Sequence, residues 1–283
     1  MLKNEKKEIM KNIGISVALG LVLMGAMTMS GCKLSTGKTV DKLMEEFGQV
    51  HLGNKDNENN YVIGSGQTSV WPVEKLTIDW MYDSVTIVAH DQNGVEFSET
   101  ADKPLNDSTM MYYSFGHDGE LNITFGKPGI KLDKKDLPHK RLIVRVPRTY
   151  KLDEIVINGV GHTFRMDSVP CEHLELNNVA NQIVLNECEV KEIEVNSVSS
   201  DVEATFSRMP EDIELNNVSG KTVLYVPKDA GMTVEMAGVN DDFYSELPVG
   251  KKGGKKVIGN GACNIECNSL SGNLKIKAKK NNK

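Results

Sequence analysis

Five glutamates recur at one position of a spaced motif: Glu175, Glu194, Glu214, Glu235 and Glu266. Brought into one column, they would make an acidic strip. Such a strip either attracts a cation or cationic partner, or keeps one face solvated and averse to aggregation. The opposite charge gathers at the C-terminus. Residues 33–250 carry 20 Lys and Arg against 36 Asp and Glu, a balance of −16, whereas residues 251–283 carry nine Lys against Glu266 alone, a balance of +8. Lys251, Lys252, Lys255, Lys256, Lys275 and Lys277 form a candidate basic patch for contact with anionic envelope polymer or lipid headgroups. Their alternative role is structural, because lysine on a terminal strand blunts edge-to-edge pairing.

The residue patterns of common enzymes are missing. His51, His90, His117, His139, His162 and His173 are scattered, with no HExxH among them, and no Gly-x-Ser-x-Gly elbow occurs. Asn54, Asp56 and Glu58 alternate like the start of a calcium loop, but Asn59 stands where that loop needs glycine and Ser65 where it needs glutamate. A glycan-cleaving enzyme needs paired carboxylates. Asp201 with Glu203, or Asp241 with Asp242, could be written into that role, with no independent support. Cys171, Cys188, Cys263 and Cys267 lack a CxxC spacing, so no cysteine metal site is expected. Cys171 and Cys188 should lie near one another at a turn, and Cys263 and Cys267 read as buried thiols; disulfide formation is left open. No catalytic residue, cofactor or metal is expected. A net charge of −6 argues against nucleic acid, and 6% aromatics against an aromatic-lined sugar site.

The N-terminus reads as an address. Lys3, Lys6, Lys7 and Lys11 precede an uncharged stretch from Ile13 to Met29, followed by Ser30-Gly31-Cys32. This is the layout of a secretory signal peptide. Its end resembles a bacterial lipoprotein lipobox, with cleavage between Gly31 and Cys32 and Met29 replacing the usual leucine. The resemblance implies that Cys32 carries a diacylglyceryl group and an acylated amino terminus with palmitate-like chains. Two or more chains give stable anchoring. Residues 32–69 then read as a tether, with a short amphipathic helix over about 39–50 built on Val40, Leu43, Met44 and Phe47.

From Val70 onward the periodicity is that of strands. Leu76 to Trp80, Val85 to Val88, Leu121 to Phe125 and Leu142 to Val146 alternate apolar and polar residues between turn-forming Asp, Asn and Gly. A repeat follows: IVINGV at 155, LELNNV at 174, IEVNSV at 193, IELNNV at 213, a degenerate VEMAGV at 234 and IECNSL at 265. The starts step by 19, 19, 20, 21 and 31 residues. Rungs of about 20 residues, each two short strands and two turns, cannot bury their apolar faces alone but do so when stacked. The first and third positions point inward and the second outward. The fourth is Asn in five copies, Asn158, Asn177, Asn196, Asn216 and Asn268, which predicts a side-chain amide ladder from rung to rung.

The Asp79-Trp80 strand, the Val146-Pro147 and Val226-Pro227 strand ends, the rungs and the Ser219-Gly220 and Ser271-Gly272 pairs together resemble the "putative adhesin" β-repeat family of unknown function, of DUF4097/DUF2807 type. The resemblance covers about residues 70–280. It implies an all-β domain, a single-stranded right-handed β-helix or β-solenoid, over 70–283, at the cell surface or in the envelope, and it brings no catalytic residues. The expected function is a non-catalytic adhesion or interaction module. It would be held to the membrane by its lipid and bind envelope polymer, a host ligand or a surface protein. The alternatives are an accessory or sensory lipoprotein partnering a membrane protein, and a β-helix enzyme.

Overall fold

The computed structural model describes residues 49–51, 61–68, 73–116, 119–133, 137–238 and 242–280. The signal peptide, Cys32 and most of the tether lie outside the described residues. The strands are β1 (Gln49–His51), β2 (Val62–Ile63), β3 (Gly66–Gln67), β4 (Lys75–His90), β5 (Glu96–Ala101), β6 (Tyr112–Phe115), β7 (Glu120–Thr124), β8 (Lys131–Asp133) and β9 (Lys140–Pro147). They continue with β10 (Leu152–Asp167), β11 (Pro170–Asn186), β12 (Glu189–Thr205), β13 (Asp212–Val226), β14 (Met232–Gly238), β15 (Asp242–Ser245), β16 (Val249–Lys252), β17 (Lys255–Ile258) and β18 (Cys263–Ala278). Among the described residues there is no helix. The protein is all-β, with the layout of a β-solenoid.

Each long strand is one rung bent into two arms. In β10, Leu152, Ile155 and Ile157 face inward from the first arm, and Phe164 and Met166 from the second. The equivalent residues of β11 are Cys171, Leu174, Leu176, Ile183 and Leu185. Alternation gives each arm one apolar face, and the bend folds both faces onto a single column of core. The corner between arms carries a second, smaller core in which Val160, Val179, Val198 and the half-buried Val218 stack. These are the sixth positions of the repeat. On the other side the chain turns through Ser168 and Glu187 with left-handed φ of 55° and 53°. Their N–H groups donate to Asn186 and Thr205 of the next rung, so the turns form a backbone ladder too.

The rungs are parallel and in register, but not in chain order. They run β7 with β9, then β4, β10, β11, β12, β13, β18, and finally β14 with β15. The last copy of the repeat, β18, is thus slotted between β13 and the degenerate copy in β14. At both ends an outer rung is made of two short strands with a full rung inside it: at the C-terminal end the antiparallel β16–β17 hairpin pairs with β14, and at the N-terminal end β6 and β5 pair antiparallel with β7 and β9. Lys275 and Lys277 therefore do not guard an end rung, as the sequence suggested. The outer rung is β14–β15, and the β16–β17 hairpin covers the β14 part of its edge.

Two boundaries also move. β2 and β3 pair with β6 and β5, so the sheet begins before residue 70. Gln49 and Val50 are strand rather than the end of a helix, because β1 pairs with β8; the rest of that predicted helix lies outside the described residues.

The N-terminal cap is pinned by a lysine. Lys140 is fully buried. Its ammonium donates to Glu99 Oε2 at 2.5 Å, to the Thr109 carbonyl at 2.7 Å and to the Phe125 carbonyl. It also stands over the Trp80 and Phe125 rings. Trp80 Nε1 donates to the Lys140 carbonyl at 3.2 Å. Burial lowers the Lys140 pKa to about 8, with Glu99 pulling the other way. A buried charge of this kind is tolerated only because every donor is engaged.

A candidate interaction face

The outer face of the first arm carries three columns of polar side chains. In the first, Asn158 Nδ2 donates to Asp79 Oδ1 at 2.9 Å, Asn177 to Asn158 at 3.0 Å, Asn196 to Asn177 at 3.1 Å, Asn216 to Asn196 at 2.9 Å and Asn268 to Asn216 at 2.9 Å. All five bonds point the same way, each amide donating toward the N-terminal cap. The aligned dipoles put their positive end at Asp79, whose carboxylate accepts the last bond. Chains of this kind polarise one another. Asp79 keeps some surface but is ringed by protein; burial raises its pKa, and the Asn158 bond holds it down in part. Beyond Asp79 the register reaches Thr124, and beyond Asn268 it reaches Ala237, which has no amide to continue the ladder.

The second column is the predicted acidic strip. Its order is Glu175, Glu194, Glu214, Glu266 and Glu235. Adjacent members sit about 4.8 Å apart, the strand spacing. Three of them are tied to the ladder, since Asn177, Asn196 and Asn216 donate to Glu175, Glu194 and Glu214 at 2.8, 2.9 and 2.8 Å. An amide at the fourth position therefore orients the carboxylate at the second. The sequence made both residues visible but not their bond. Like charges at this spacing cost about 0.9 kcal/mol per neighbouring pair in water. At the far end Lys255 neutralises Glu235 at 2.5 Å.

The third column was not anticipated. It runs Lys75, Glu154, His173, Glu192, Asp212. Lys75 Nζ is 3.5 Å from Glu154, and Glu192 Oε2 is 3.5 Å from His173 Nδ1. The signal was available: Glu154 and His173 differ by 19 residues, the rung step itself.

The basic residues do not form one patch. Lys251, Lys252, Lys255 and Lys256 lie on the β16–β17 hairpin, whose turn residues Gly253 and Gly254 have φ of 58° and 84°. Lys256 stands over Phe243. Lys275 and Lys277 project from the second arm of β18, where Lys277 stands over Tyr225. The lysines are thus divided between a cap and a side of the solenoid.

The four described cysteines are buried, with no disulfide among them. Burial raises the thiol pKa to about 11 for Cys188 and about 12 for Cys263, and that of Cys171 further still. Such thiols are poor nucleophiles and poor metal ligands. Of the carboxylate pairs weighed for catalysis, Asp201 accepts the Lys221 N–H at 2.9 Å, a bond between rungs; Asp241 lies outside the described residues. A cavity between β13, β18 and β14, lined by Leu215, Asn217, Gly220 and Met236 among others, holds about 20 Å³, room for one water.

A 127-residue stretch of this architecture, from β10 through most of β18, is recognisable at the level of sequence family. Residues 151–277 match the Toastrack DUF4097 family. The match spans rungs β10 to β13, the C-terminal cap and most of β18, while β4 and the N-terminal cap lie outside it. Solved structures similar to the chain include a "putative cell adhesion protein" from Clostridium sporogenes, 12% identical, covering 77% of this chain and 100% of that one with a TM-score of 0.48. A "putative adhesin" from Bacteroides fragilis is 13% identical over 78% of this chain and 97% of that one, with a TM-score of 0.32. One from Parabacteroides distasonis is 12% identical over 77% and 97%, with a TM-score of 0.28. No curated protein matches the chain. Within the matched stretch the Ser219-Gly220 pair has a packing reason: a Cβ on Gly220 would lie 2.1 Å from the Ser200 carbonyl of the rung below.

Proposed function

We propose that this chain is a non-catalytic interaction module held outside the cytoplasm by a lipidated Cys32, and that its working surface is the first-arm face. The observation that carries this reading is the acidic column locked to the asparagine ladder. Five carboxylates stand one per rung on a sheet face, and three are held in place by amides. A rigid row of like charges pays little ordering entropy on binding and suits an extended partner with regularly placed cationic groups, on an envelope polymer or another protein surface.

The test uses the full-length lipoprotein, displayed on cells and reconstituted in vesicles. It is exposed to purified cell wall, membrane fractions and host cells at low and high salt. Saturable, salt-sensitive binding that is lost in an E194Q/E214Q/E266Q variant supports the reading. Unchanged binding in that variant refutes the face. Recovery of a single membrane protein with no binding to polymer or cells favours an accessory or sensory lipoprotein instead. Cys32→Ser, which should move the protein from membrane to soluble fraction, tests the anchor separately.

A further inference from the structure

Glu154, His173 and Glu175 stand together on two neighbouring rungs. Glu154 and His173 are direct partners in the β10–β11 register, and Glu175 follows His173 by two residues on the same face. One ligand atom from each lies within 4.8 Å of the others, and all three residues are half-buried. Among the described residues this is where an imidazole and carboxylates converge in this way. We propose that Glu154, His173 and Glu175 form a surface site for one first-row transition-metal dication, with zinc the best chemical match.

The donor set decides the metal class. One nitrogen and two carboxylate oxygens suit zinc and its neighbours, whereas calcium and magnesium take oxygen alone. Zinc bonds of about 2.0–2.2 Å hold tetrahedral ligands roughly 3.3–3.5 Å apart. Rotation of two long glutamate side chains covers the difference from the present spacing. Water, or Glu194 from the next rung, would complete the shell.

The surroundings already resemble an outer shell. Asn177 donates to Glu175 Oε1 at 2.8 Å and is itself fixed in the ladder, which orients that carboxylate. Glu192 Oε2 lies 3.5 Å from His173 Nδ1, the carboxylate–imidazole pairing that orients metal-bound histidines elsewhere. Lys75, 3.5 Å from Glu154, is the competing cation and must swing away. Among the described residues no imidazole joins the lower part of the strip, Glu214, Glu266 and Glu235, in such a cluster. The inference stands whether or not the face binds a polymer.

The experiment strips the full-length protein with chelator and titrates it with zinc chloride by calorimetry, backed by cobalt(II) absorption. We expect one saturable site per chain. Glu192→Gln should weaken it about 10-fold, as outer-shell changes do, and His173→Ala by more. Glu235→Gln should leave it unchanged, and equimolar calcium should not displace zinc. His173→Gln, which keeps a polar side chain of similar reach, guards against a folding artefact, with circular dichroism checking each variant. Equal affinity in H173A and wild type, displacement by calcium, or no saturable binding each overturns the site; the first two would mean diffuse attraction to the acidic face.

Discussion

The asparagine ladder should have graded energetics, and Asn177→Ala probes its strongest rung. Asn177 makes three side-chain hydrogen bonds: it donates to Asn158 and Glu175 and accepts from Asn196. Asn158 is 1% exposed, so its orphaned oxygen cannot turn to solvent. Each lost bond is worth about 1 kcal/mol net, and a buried orphan costs about 1–3 kcal/mol. Glu175 and Asn196 keep partial access to water and recover some of this. The expected cost is about 2–4 kcal/mol. Asn268→Ala, at the last rung of the ladder, removes the bond to Asn216, which is itself only half-buried, and should cost about 0.5–1.5 kcal/mol. Urea unfolding monitored by circular dichroism reads both through the midpoint, provided the slope m is unchanged. Equal losses for the two variants, or a loss below about 0.5 kcal/mol for Asn177→Ala, would show that the ladder decorates the stack without holding it.

Two further outcomes follow from the same geometry. The Asp79 pKa is raised in the folded state, chiefly by burial, so its contribution to stability is complete below the unfolded carboxyl pKa of about 3.9 and is lost as pH rises through the folded value. Asp79→Asn keeps an oxygen for Asn158 but cannot ionise. It should unfold at higher urea than wild type at pH 7, with the gap closing by about pH 3; a lower midpoint at pH 7 would show that the carboxylate charge itself stabilises the ladder's end. Gly220→Ala must push Cβ into the Ser200 carbonyl and should cost at least about 2 kcal/mol, the scale of backbone strain. Gly253→Ala, with open space around it, should cost only about 1 kcal/mol through its positive φ. Matching thermal midpoints for these two glycine variants would contradict the close-approach explanation.

The sequence by itself determined the kind of object this is. Alternation of apolar residues fixes which side of each strand faces the core, and a step of 19 to 21 residues fixes the length of a rung. Both are local properties, so the all-β solenoid, the inward Ile, Leu and Val pairs, the fourth-position asparagines and the outward glutamates could be read without coordinates. The valines at the sixth position were equally visible, but their separate corner core required knowing where the chain bends. Tertiary structure alone decided the order of the rungs. A parallel edge accepts any strand of matching length and register, so chain order does not dictate stacking order. β18 enters between β13 and β14, where Asn268 continues the ladder and Ala237 beyond it does not. That insertion moved Lys275 and Lys277 from an expected edge to an interior rung. Non-local packing likewise turned Lys140, which reads as an ordinary strand lysine, into a buried anchor for the N-terminal cap. It also set Glu154 against His173 and Glu175, because neighbours across rungs are made by registry between distant segments rather than by sequence proximity.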